Sequence, residues 1–253
     1  MNNKRGQVTI FVIIAIVIVV AAIGMYFIYP KITGTSISSS PTEFVQDCLE
    51  DEIKENVEEI SLKGGSLNPE LYTEYSIDKE KFNIEYLCYT NEYYKQCVMQ
   101  QPMLKSHVEK EIKDSISARM KKCFDDLETN FKKKGFVVDL QRNDYDVGLI
   151  VGKVRTTIDY DLSLTKGATD RYDKFVVEID SGLQRLVSIA NNLLSGEAEF
   201  GETDISKEMD LNYWLKAEKK KQTDGTKIYI LTDKENGEVF MFASRSIAYP
   251  LGF

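Results

Sequence analysis

Four cysteines, one histidine and two close carboxylate pairs are the residues of this 253-residue chain that invite a chemical reading. Cys48, Cys88, Cys97 and Cys123 are even in number, which in an oxidising compartment points to two disulfides and allows three connectivities. Cys88 and Cys97 bracket a short step and can close a local loop. Cys48 and Cys123 fall on the apolar stripes of two long helical segments, so a bond between them would cross-link those helices. These are the preferred pairs, with buried free thiols as the alternative. Zinc is disfavoured, because no CxxC pair exists and His107 completes no usual ligand spacing.

The remaining candidates read mostly as surface. His107 lies in the first turns of a helix, where a surface or half-buried histidine is the ordinary outcome. A Ser-His-Asp triad would need it, but no GxSxG elbow accompanies it. Ser76–Lys79 and Ser163–Lys166 match SxxK in strand or turn contexts, whereas the catalytic version starts a helix. Asp144 with Asp146, and Asp159 with Asp161, place two carboxylates on one strand face. Such pairs can bind a cation or share acid–base work, although exposed strand faces are commonly charged. Six of the fourteen tyrosines fall within residues 72–94. Among them Tyr86, Tyr89, Tyr93 and Tyr94 offer large contact area with little entropy to lose, which suits recognition. Their alternative role is to pack a helix–sheet junction and brace the Cys88–Cys97 loop. The lysine runs 132–134 and 219–221 read as solvated helix ends.

Placing these groups starts with the membrane. Residues 8–29 carry no charge, and their only polar non-aromatic side chain is Thr9. As a helix they would extend roughly 33 Å, enough to cross a hydrocarbon core of about 30 Å. Tyr26, Phe27 and Tyr29 stand where an aromatic belt belongs, and Pro30 ends the run. Lys4 and Arg5 precede it, so the positive-inside rule leaves residues 1–7 in the cytoplasm and exports the rest. The net charge of −8, with every acidic residue beyond position 42, excludes nucleic acid as a partner class. No cofactor is indicated.

Three fates compete for the apolar segment. It is a retained anchor, a signal removed after Ala22-Ile23-Gly24, or a processed assembly helix. The third rests on Lys4-Arg5-Gly6-Gln7-Val8-Thr9-Ile10-Phe11, which resembles the start of archaeal type IV pilins. That resemblance implies cleavage after Gly6, a new terminus at Gln7, and an intact helix for filament assembly. Such pilins usually carry Glu where Phe11 stands here. The chain is also similar to archaeal single-pass membrane proteins sharing this start and the segment Leu87-Cys88-Tyr89-Thr90-Asn91-Glu92-Tyr93-Tyr94.

Outside the membrane, residues 30–41 read as a Ser/Thr-rich tether and 42–253 as one α+β domain. Thr42 can cap a helix over 43–62, stopped by Gly64-Gly65. Pro102 opens a second helix, continuous to 134, with its stripe through Val108, Ile112, Ile116, Met120, Cys123, Leu127 and Phe131. Alternation predicts strands over 136–140, 147–151, 154–164 and 174–179, and an alternating stretch from Phe82 to Cys88. A helix over 183–194 and a short one near 209–215 follow. A hairpin of 227–231 and 239–243, turning at Asn236-Gly237, closes the chain. The expected whole is a transmembrane helix followed by a disulfide-braced domain of long helices on an antiparallel sheet. The expected function is a membrane-anchored structural or interaction protein at the cell surface, its partners being the lipid bilayer and a protein or a second copy. The alternative is an anchored enzyme using paired carboxylates on a polysaccharide.

Overall fold

A computed structural model describes residues 40–77 and 79–250. The expected span at 8–29, the processing pair Gly6 and Gln7, and the tether up to residue 39 lie outside the described residues. Among the described residues, no helix is long and apolar enough to cross a membrane.

Helix α1 (Pro41–Leu62) begins with Pro41, whose fixed φ and missing N–H suit a first helical position. The helix therefore starts before Thr42 rather than being capped by it. Val45, Leu49, Ile53, Val57 and Ile60 recur at helical spacing and are buried, while the other face carries acidic side chains. The Gly65 N–H closes the end on the Ile60 carbonyl at 2.9 Å.

Residues 102–134 do not form one helix. They divide into α2 (Leu104–Ser115) and α3 (Ser117–Lys133) at Ile116, which has φ −85° and ψ −2°. The Ser115 hydroxyl donates to the Ile112 carbonyl at 2.8 Å, competing with the helical ladder where the break occurs. The apolar stripe continues through the break because Ile112, Ile116 and Met120 all stay buried.

Three sheets replace the single antiparallel one. The largest has six strands: β1 (Tyr72–Ile77), β2 (Glu80–Tyr89), β12 (Val239–Arg245), β11 (Thr226–Asp233) and β10 (Leu215–Lys221) in that order, with β3 (Val98–Met99) also on β2. Its β2–β12 junction is parallel. The sheet of β4 (Val137–Gln141), β7 (Asp161–Lys166) and β8 (Ala168–Tyr172) is antiparallel, as is that of β5 (Tyr145–Ile150), β6 (Lys153–Ile158) and β9 (Phe175–Asp180). The run expected as one strand over 154–164 is thus two strands in different sheets. Its alternation never breaks, since Val154, Thr156, Ile158, Tyr160, Leu162 and Leu164 are all buried. Tyr160 packs on the Phe124 ring at 4.6 Å where the chain changes sheets. Strand β10 corrects the lysine run 219–221, which belongs to a sheet edge and not to a helix end. Charged residues on an edge strand discourage pairing with another chain.

Helix α4 (Leu183–Phe200) continues past the expected end at 194 because Glu197, polar in sequence, is fully buried. Its first N–H groups are satisfied by Glu238, which accepts from Gly182 at 2.5 Å, and by Ser181, which accepts from Leu183 at 3.1 Å. A short helix α5 (Ile205–Leu211) precedes β10. Helices α1 and α4 both pack against β12, and α1 also meets β9 and α3, so the main core is continuous across the sheets. Strands β11 and β12 are apolar on both faces. Tyr229, Leu231, Phe240 and Phe242 join the main core, while Ile228, Met241 and Ala243 form a second cluster with Ile84 and Tyr86. Each fully buried large side chain contributes about 1.5–3 kcal/mol.

The four cysteines form two disulfides. Cys48 of α1 joins Cys123 of α3, and Cys88 of β2 joins Cys97 just before β3.

Candidate recognition site

The tyrosine segment divides where β2 ends. Tyr86 lies inside, its hydroxyl 2.7 Å from Thr226 Oγ1 and its ring edge-on to Tyr89 at 4.9 Å. Burial pushes the Tyr86 phenol above its ordinary pKa. Tyr86 is therefore a packing residue, and half-buried Tyr89 leans on it. Tyr93 and Tyr94 instead stand 48% and 55% exposed on the loop closed by Cys88–Cys97. Of the four tyrosines, two thus brace the sheet and two face outward.

A second segment completes the outward face. Residues 246–250 run beside the loop, with Cys97 N–H donating to Ser246 Oγ at 2.9 Å and Ile247 N–H to the Lys95 carbonyl at 2.7 Å. Tyr94 N–H donates to the Ala248 carbonyl at 3.0 Å, and the Tyr94 and Tyr249 rings meet edge to face at 5.3 Å. The Arg245 guanidinium lies 5.4 Å from the centre of the Tyr93 ring and is itself held by the carbonyls of Thr90 and Asp224. Tyr94 at φ 61° and Ile247 at φ 45° both occupy the left-handed region, and for a β-branched residue this is strained. Strain is concentrated where the two segments cross, and the surrounding hydrogen bonds hold it.

Beneath this face lies a pocket of about 590 Å³, with Phe200 and Tyr249 among its walls and Lys221, Gln222 and Thr223 along its polar side. Glycines admit the 246–250 segment: a Cβ on Gly201 would fall 2.2 Å from Ile247 Cδ1, and one on Gly225 2.4 Å from Ala248 Cβ. At the floor, Lys227 Nζ sits 2.8 Å and 3.2 Å from the two Glu197 carboxylate oxygens. It also donates to the Gly201 carbonyl and lies 3.2 Å from Glu202. Glu197 accepts in addition from Tyr229 at 2.5 Å and Ser244 at 2.9 Å. Burial, then the charge of Glu197, drives the Tyr229 phenol far above its ordinary pKa. Burial also pulls Glu202 upward, but hydrogen bonds from Lys219 and Lys221 and the charge of Lys227 outweigh it and hold Glu202 at about 2. Lys227 Nζ is thus fully engaged by Glu197, Glu202 and the Gly201 carbonyl. The floor is rigid and polar, and the rim aromatic and exposed.

The carboxylate pairs are solvated. Asp144 and Asp146 are 80% and 85% exposed, and Lys113 Nζ bridges them at 3.2 Å and 3.1 Å. Asp159 pairs with Lys174 at 3.7 Å, and Asp161 accepts from Asn143 at 3.3 Å. Ser76 and Ser163 lie on strands β1 and β7. Among the described residues, no group of three His, Cys, Asp or Glu side chains is arranged to hold a metal ion. His107 is half-buried and meets Ser66, a contact across 41 residues that no local pattern announces.

The sequence matches no protein-family model, and neither a curated protein nor a solved structure matches it.

Proposed function

We propose that this chain is a single-pass, membrane-anchored protein whose exported domain binds a protein partner at the cell surface. In the sharper form of this reading the partner is a second copy, drawn into a filament by the pilin-like helix. The observation that carries the proposal is the exposed cluster of Tyr93, Tyr94 and Tyr249, held by strained backbone, an arginine and the Cys88–Cys97 bond. Rigid exposed aromatics lose little entropy on contact and are the commonest anchors of protein interfaces. Two disulfides support an oxidising location.

A photo-crosslinking amino acid placed at Tyr94 in cells tests this. The expected product is a discrete protein adduct, lost when Tyr93 and Tyr249 are changed to Ser. Correctly oxidised protein that yields no adduct sinks the reading. Intact mass of the membrane-fraction protein tests the anchor separately. A species lacking residues 1–24 would overturn both the anchor and the filament.

A further inference from the structure

On a different part of the domain, the turn after α1 presses a serine between a carboxylate and the chain's single histidine. Gly64, at φ 94°, lies so close to β2 that a Cβ there would fall 2.8 Å from Glu85 Cβ. Glu85 N–H donates to the Lys63 carbonyl at 2.9 Å, and Leu67 N–H donates to Glu111 at 3.0 Å, tying the turn to β2 and α2. Ser66 is thereby fixed with its Oγ 2.6 Å from Glu85 Oε2 and 2.8 Å from His107 Nε2. Ser66 and Glu85 are 6% and 7% exposed, and Gln101 donates to the second Glu85 oxygen at 3.3 Å. All three groups line one cleft of about 340 Å³, with Asn68, Glu70 and Gln101 beside them.

We infer that Ser66, Glu85 and His107 form a nucleophilic site that hydrolyses small acyl esters carrying no negative charge. Both contacts of the hydroxyl can serve the chemistry. Ser66 donates to Glu85, so the second contact is filled by an Nε2–H of His107 donating to Oγ. As Oγ bonds to the acyl carbon, its proton passes to Glu85, whose carboxyl burial holds above the ordinary range and so makes a better base. The ester C–O bond then breaks, and the leaving alcohol oxygen takes the Nε2 proton. Water attacks the acyl-serine and returns a proton to His107. The acyl–Oγ bond breaks, and Oγ recovers its proton from Glu85. The sum is ester plus water to acid plus alcohol. Glu70 and Glu111, the other ionisable carboxyls at the cleft, disfavour anionic substrates.

The activity is independent of the tyrosine face. The test treats the full chain in detergent with a biotinylated fluorophosphonate and, separately, with 4-nitrophenyl acetate. A single adduct on the Ser66 peptide is expected, with hydrolysis falling to background in Ser66→Ala and by about 100-fold in Glu85→Gln. The rate should rise with pH as Glu85 ionises, above the ordinary carboxylate range because it is buried. His107→Gln, at a half-exposed helix position, should lower the rate while leaving the rise with Glu85 ionisation in place. Oxidised wild-type protein without an adduct at Ser66 overturns the inference, as does wild-type hydrolysis in either Ser66→Ala or His107→Gln.

Discussion

Changing Cys48 and Cys123 together to Ala opens a cross-link whose ends are 75 residues apart in the chain. In the chain-entropy account, closing a loop of that length removes about 4.5 kcal/mol of unfolded-state freedom. The Cys88–Cys97 bond spans 9 residues, and the same relation gives it about 2.6 kcal/mol. The longer bond should therefore contribute more to stability, although both join well-packed elements. A domain of this size has only about 5–15 kcal/mol in total, so losing the longer bond should lower Tm by roughly 9–18 °C. The bond also pins α1 to α3, and its loss frees the helix nearest the undescribed N-terminal residues. Urea unfolding under non-reducing conditions measures the difference. The chain's one tryptophan, Trp214, stacks on Arg185 at 4.3 Å and reports the transition by fluorescence. The m-value should rise in each double variant, because the unlinked denatured chain expands. A larger loss for Cys88/Cys97 than for Cys48/Cys123 would refute the loop-length reasoning. Four free thiols in protein from its native envelope would refute both bonds.

Other outcomes follow from the polar groups. Glu197→Ala leaves buried Lys227 without its bidentate partner and should cost about 3–5 kcal/mol in the same urea assay, whereas pairing Glu197→Leu with Lys227→Met should recover only part of that loss, because the Tyr229 and Ser244 hydroxyls still lose their acceptor. Equal stability of the single variant and the wild type would sink the assignment. Glu202 is held at about 2, below its ordinary 4.5, so its contribution is complete above about pH 4.5 and disappears as pH falls through about 2. Glu202→Gln should therefore lower Tm at pH 6 and converge with the wild type near pH 2. A gap independent of pH would contradict the ion-pair cause.

Local pattern alone determined much of this protein. The stripe of α1, the positions of Cys48 and Cys123 on apolar helix faces, and the β11–β12 hairpin turning at Asn236-Gly237 are each set by neighbours a few residues away. Periodicity of that kind specifies an element and its buried face, but not the partner that covers it. Residues 154–164 alternate without interruption, so nothing in them marks the passage from β6 to β7 between two sheets. The parallel β2–β12 pairing and the lysine-rich edge strand β10 likewise depend on chain segments far away. Tyr86 and Tyr93 look alike in sequence, and the end of β2 decides that one is core and the other surface. Ser66, Glu85 and His107 are separated by 19 and 41 residues from the serine outward, and they meet because two glycines let the turn after α1 approach β2 and α2. Such contacts are long-range by nature: they form when packing of the whole core makes one arrangement lowest in free energy, and no short window of sequence carries that sum.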